Sequence, residues 1–78
     1  MNKTTFGKRH QGLMGWITEK RLLAGFTQQA LSELLKRPQS FVSKYENGER
    51  NLDFIEVIEI CEVLNADVVE LTTLIQKL

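Results

Sequence analysis

Residues 27–50 read TQQALSELLKRPQSFVSKYENGER, and the fold turns on how this stretch divides. Thr27 is a good N-cap. Ala30, Leu31, Leu34 and Leu35 then fall at i, i+1, i+4 and i+5, on one face of a helix over about 27–35. Pro38 is tolerated only in a helix's first turn, and it pushes the residue before it out of the helical region. The expectation is therefore a break at Lys36-Arg37 and a fresh helix over about 38–46, stopped by Asn47-Gly48. Two short helices joined this tightly cannot pack antiparallel, and a turn of about three to four residues sets them roughly 90–120° apart. Sharp corners occur in any small helical domain, so the corner alone is a weak signal.

The second helix sharpens it. Gln39, Ser40, Ser43 and Lys44 share one face, and Phe41, Val42 and Tyr45 share the opposite, buriable face. An amide, two hydroxyls and an ammonium on a short helix suit the DNA major groove. Glutamine can bond adenine in bidentate fashion, lysine can reach guanine acceptors, and serine serves as donor or acceptor. An ordinary solvated polar face is the competing explanation.

Outward from this pair, helical spacing starts at about Leu13. It continues through Ile17, either Arg21 or Leu22, and Ala24, with Gly25 as a C′ residue. Asp53 with Glu56 forms a capping box that opens a helix over 53–64, and Asn65 is a candidate left-handed C′ residue. Asp67 with Glu70 repeats the box for a last helix over 68–78. Residues 1–9 are polar and basic and read as a flexible arm able to follow a DNA backbone or minor groove; residues 10–78 form a single domain. No segment alternates with period two, so the fold class is all-α, with five helices and short loops.

The chain has 78 residues, with ten basic and ten acidic side chains. The net charge of zero hides a strong asymmetry: residues 1–50 carry nine basic against four acidic groups (+5), and residues 51–78 one against six (−5). The basic end points to a nucleic-acid partner. Cys61 and His10 are the single cysteine and histidine, which rules out a disulfide framework and a zinc site built from cysteine and histidine alone. No metal, cofactor, small-molecule ligand or enzymatic activity is expected. With no apolar run of about 18 residues and no signal-peptide pattern, neither a membrane partner nor export is expected, and a cytoplasmic address is the default.

The stretch from Arg21 to Leu71 resembles the lambda-repressor-like (phage-repressor, XRE-type) helix-turn-helix DNA-binding family. The resemblance rests on Arg21, on 24–31 (AGFTQQAL), on 38–50 (PQSFVSKYENGER) and on the tail from Leu52-Asp53 to Leu64-Asn65-Ala66-Asp67. It implies a compact five-helix domain that regulates transcription by binding double-stranded DNA, encoded by a prokaryote or a phage. It implies that Gln39, Ser40, Ser43 and Lys44 face base edges. It implies that Gln28, Asn47 and Arg50 contact phosphates, and that Arg21 pairs with Glu46 to tie the first helix to the end of the third. An arginine interrupting an apolar stripe needs such a carboxylate. Three positions depart from the family. Lys36 stands where the turn usually has glycine, at a cost of about 1 kcal/mol if it must be left-handed, unless the turn differs with Lys36 and Arg37 aimed at phosphates. Ser32 replaces a common alanine, and Pro38 a hydroxyl N-cap.

A domain this small buries only about 60% of its unfolded surface, yet 16 of its last 28 residues are apolar. The surplus reads as a homodimer interface, assigned to Ile60, Val63, Val69, Leu71, Leu74, Ile75 and Leu78. A two-fold dimer would set two recognition helices roughly 34 Å apart on a near-palindrome and act as a repressor or activator. The rival occupant is a partner protein, such as a toxin or an antirepressor, held by the acidic apolar helices of an interaction module.

Overall fold

The computed structural model describes residues 7–78. Five helices follow one another: α1 (Lys8–Leu23), α2 (Gln28–Leu34), α3 (Phe41–Glu46), α4 (Phe54–Leu64) and α5 (Val68–Gln76). No strand occurs among the described residues. The helix α1 packs against α3, α4 and α5, and α2 against α3. Their shared core contains Trp16, Ile17, Leu31, Phe41, Val42, Tyr45, Val57, Ile60, Cys61, Leu64 and Leu71.

Four successive helices end in the same way. After α1, α2, α3 and α4 the chain steps into the left-handed region at Gly25, Lys36, Gly48 and Asn65, with φ of 84°, 58°, 80° and 54°. Each step lets the next N–H reach back to a carbonyl five residues earlier: Phe26 to Arg21, Arg37 to Ser32, Glu49 to Lys44 and Ala66 to Cys61. These are Schellman ends, which satisfy carbonyls that a helix terminus otherwise leaves open. Glycine adopts this conformation without cost and asparagine tolerates it, whereas lysine bears the Cβ clash. The turn between α2 and α3 therefore keeps the geometry that glycine favours, with Lys36 strained in it.

N-terminal caps match their sequence signals. The Thr27 hydroxyl accepts from Ala30 N–H at 3.0 Å. The Asp53–Glu56 capping box is complete. Asp67 caps α5 through Val69 N–H at 2.9 Å, so its acceptor role is present, but Glu70 does not reach back to close a box and turns to Trp16 instead.

Several expectations are corrected. The helix α1 begins at Lys8, so residues 7–9 are not part of an arm, and residues 1–6 lie outside the described segment. The early start is supported by α5 and the residues just after it: a Cβ added at Gly12 would fall 3.4 Å from Ile75 Cδ1 and 2.5 Å from Leu78 Cδ1. Of the two candidates for the inner stripe of α1, Arg21 is buried and Leu22 is exposed. The helix α3 begins at Phe41; Pro38 to Ser40 form a tight turn in which Phe41 N–H donates to the Pro38 carbonyl at 2.9 Å. Ile60 and Leu71, expected at an interface between subunits, are core residues and have no surface to offer a partner.

Candidate nucleic-acid interface

The helix-turn-helix pair is built by burying one face of α3 and leaving the other open. Phe41, Val42 and Tyr45 insert into the core, with the Phe41 and Tyr45 rings edge to face at 5.4 Å. This turns Gln39, Ser40 and Lys44 to solvent, with Ser43 half-buried beside them. Gln28, Gln29, Gln39, Ser40 and Ser43 line an open depression of about 490 Å³ between α2 and α3. Its walls are amides and hydroxyls that can donate or accept. The Ser43 hydroxyl donates to the Ser40 carbonyl at 3.1 Å and keeps its lone pairs available. Gln29 belongs to this surface too. It was missed because the residue following a helix's first position carries no periodicity signal.

The end of α3 is anchored by one carboxylate. Arg21 donates through Nε to Glu46 Oε2 at 2.8 Å and through Nη2 to Oε1 at 3.1 Å, and its Nη1 reaches the Phe26 carbonyl at 2.8 Å. Both side chains are buried. The expected pair therefore forms, in the bidentate geometry that favours arginine over lysine. Gln28 joins it, donating from Nε2 to Glu46 Oε1 at 2.8 Å. The Gln28 side chain thus braces α3 from within, with one amide N–H left over.

The start of α3 is held differently. The Ser32 hydroxyl, fully buried on α2, accepts from Val42 N–H at 3.1 Å. An open donor in the first turn of α3 is thereby satisfied by a neighbouring helix, whereas the N-cap residue of α3 is Ser40, not Pro38, and its hydroxyl makes no capping bond.

Glu56 supplies a second anchor. Beyond its expected place in the capping box, it is only 7% exposed and turns toward Arg37 and Arg50. Arg50 donates to Glu56 Oε1 at 2.9 Å and Oε2 at 2.8 Å, and Arg37 Nη1 lies 3.2 Å from Oε2. Both guanidiniums rest on the Phe41 ring, 4.8 Å (Arg37) and 4.9 Å (Arg50) from its centroid. The hydrogen bonds from Arg50 hold the Glu56 carboxyl down at about 2, against the opposing effect of burial. Arg37 and Arg50, expected on phosphates, are thus engaged by a carboxylate of their own chain. Lys36, in the turn between α2 and α3, and Asn47, at the end of α3, are exposed.

Away from this surface, Trp16 Nε1 donates to Glu70 Oε2 at 3.0 Å, and Lys20 Nζ reaches the same oxygen at 3.3 Å, locking α1 to α5. The bond from Trp16, with that from Lys20, lowers the Glu70 carboxyl below its usual range. Val69 and Leu74 on α5 and Leu78 beyond its end are exposed, while Val63 and Ile75 pack partly against the core. Phe54 and Ile55, which open α4, are 69% and 63% exposed and were not among the residues assigned to an interface. Phe54 edges an apolar depression lined with Leu13, Val57, Val68, Leu71 and Ile75.

The helix-turn-helix family model matches residues 17–71, which contain both anchors and all of α2 to α4. Among solved structures, the chain is similar to an XRE-family like protein from Pseudomonas syringae pv. tomato str. DC3000. The two share 43% sequence identity and a TM-score of 0.84, over 96% of this chain and 94% of that one. Nothing among the curated proteins matches. The chain belongs to the helix-turn-helix family, of the XRE (lambda-repressor-like) type, whose members are DNA-binding regulators of transcription and generally not enzymes. None of its described helices is long and apolar enough to cross a membrane.

Proposed function

We propose that this chain is a sequence-specific transcriptional regulator that binds a near-palindromic operator as a homodimer, with α3 in the major groove. The observation that carries the reading is the open polar depression of Gln28, Gln29, Gln39, Ser40 and Ser43, with Lys44 exposed beyond it. Gln39, Ser40, Ser43 and Lys44 read base edges. Lys36, Asn47 and the remaining amide N–H of Gln28 hold phosphates and set the register. The dimer forms through exposed Val69, Leu74 and Leu78, with Val63 and Ile75 at the margin, placing two copies of α3 about one DNA turn apart. A cytoplasmic address goes with this role.

Selection of bound duplexes from a random pool tests it. The expected result is a near-palindrome bound with an affinity that falls steeply with salt, by a log–log slope of about 0.9 per phosphate contact. Recovery of no preferred sequence, or binding indifferent to salt, overturns the reading in favour of a protein-interaction module.

A further inference from the structure

We propose that Glu56 is a specificity-determining residue: it masks Arg37 and Arg50, the two arginines that flank the recognition helix, and so keeps them off DNA phosphates. The inference rests on the DNA-binding reading above. It starts from position. Arg37 lies in the turn before α3 and Arg50 in the loop after it, and both stack on Phe41, the first residue of α3. Their side chains are 33% and 38% exposed, so the guanidiniums sit at the rim of the surface that carries the base-reading residues. Unpaired, they would be strong, sequence-indifferent phosphate ligands.

The carboxylate that engages them is well fixed. Glu56 Oε1 also accepts from Asp53 N–H at 3.0 Å as part of the capping box, so its position is set by the start of α4. Arg37 has a second acidic neighbour, Glu59 Oε1, at 3.8 Å from Nη2. A phosphate competing for Arg50 must therefore break a bidentate, partly buried pair and leave a buried carboxylate short of a partner, a cost larger than an exposed pair would impose. The basic end then presents less free charge to DNA than its sequence contains. Binding to arbitrary sequence is weakened, and the share of affinity that depends on bases is raised.

The test is equilibrium binding of the full chain to its selected duplex and to a random duplex across a salt series, for the native protein, E56Q, R50Q and the triple variant E56Q/R37Q/R50Q. With the mask in place, R50Q leaves the log–log salt slope of the native protein within a few tenths. E56Q steepens it by about 1 to 2, as one or two freed arginines engage phosphates, and tightens random-duplex binding about tenfold or more at low salt. The triple variant returns both toward the native values. A slope flattened by about 0.9 in R50Q means that Arg50 already holds a phosphate, and overturns the proposal. A folded E56Q with an unchanged slope does the same. Should E56Q fail to fold by circular dichroism, R50Q alone decides. A native protein that binds no duplex at all removes the DNA-binding reading itself, and the mask with it.

Discussion

The hydroxyl of Ser32 on α2 accepts a hydrogen bond from the backbone N–H of Val42 on α3, at 3.1 Å, with both residues fully buried. This bond crosses the helix-turn-helix corner at its tightest point and fixes how the start of α3 leaves the core. Together with the partners of Glu46 at the far end, it means that both ends of α3 are held by side chains from other helices.

Replacing that acceptor leaves a buried N–H without its partner. Ser32→Ala should lower stability by about 1–2 kcal/mol, read as a reduced urea midpoint at constant slope. An unchanged midpoint would show that the N–H finds another acceptor.

Lys36 is the second test of the corner. Its left-handed φ of 58° is one that glycine adopts freely. Lys36→Gly should raise stability by up to about 1 kcal/mol, because relief of the Cβ clash outweighs the extra freedom of the unfolded chain. The same change should flatten the salt slope of DNA binding by about 0.9 if the ammonium holds a phosphate. A gain in stability with an unaltered slope would remove Lys36 from the interface.

Tyr45 is fully buried, and its hydroxyl has no hydrogen-bond partner among the described residues. Burial, ahead of the nearby Glu46 charge, pushes the phenol well above its ordinary range. Because an unpaired buried hydroxyl is unfavourable, Tyr45→Phe should be neutral or stabilising by up to about 1 kcal/mol in thermal unfolding. A clear loss of stability would mean that the hydroxyl is satisfied in solution.

Glu56 makes stability depend on acid. Its carboxyl sits at about 2 in the folded chain against an ordinary 4.5, so the folded state binds fewer protons in that interval than the unfolded one. Its contribution, up to ~3 kcal/mol, is fully present above about pH 4.5 and is lost as pH falls toward 2. Denaturation midpoints of the native protein should decline through this window more steeply than those of Glu56→Gln. Parallel declines would place the acid sensitivity elsewhere.

Dimerisation through α5 is tested by charge. Leu74→Glu puts a carboxylate on an exposed position of that helix, with little cost to the core. Sedimentation should then show a monomer, and operator affinity should fall by about tenfold or more as the second half-site is lost. A persisting dimer would shift attention to Phe54 and Ile55.

The elements were legible in the chain because their signals are local. Proline fixes its own backbone angle and glycine admits the left-handed step that ends a helix, Thr27 and Asp53 cap the residues that follow them, and the polar and apolar sides of 39–45 separate by helical spacing alone. The Arg21–Glu46 pair came through family resemblance and the oddity of an arginine in an apolar stripe. Boundaries were less legible. The helix α1 begins at Lys8 and not near Leu13, because its first turns are supported by packing against α5, far away in sequence.

What only the tertiary structure decided is how partners separated in sequence share one group. Glu56 looked like a solvent-facing capping residue, and nothing within its own helix reveals that Arg37 and Arg50 converge on it. Ser32 looked merely small, and its use as a cap depends on α3 crossing it at a corner. Which apolar residues of α4 and α5 are spare was also decided only there: Ile60 and Leu71, assigned from sequence to an interface, went into the core, while Phe54 and Ile55, not assigned to it, stayed outside. The sequence by itself determined the helices, their order and the polar face that meets solvent, since backbone limits and periodicity act over a few residues. Burial and charge pairing depend on which helices meet, and they settled which of the basic residues beside that face are free and which are already held.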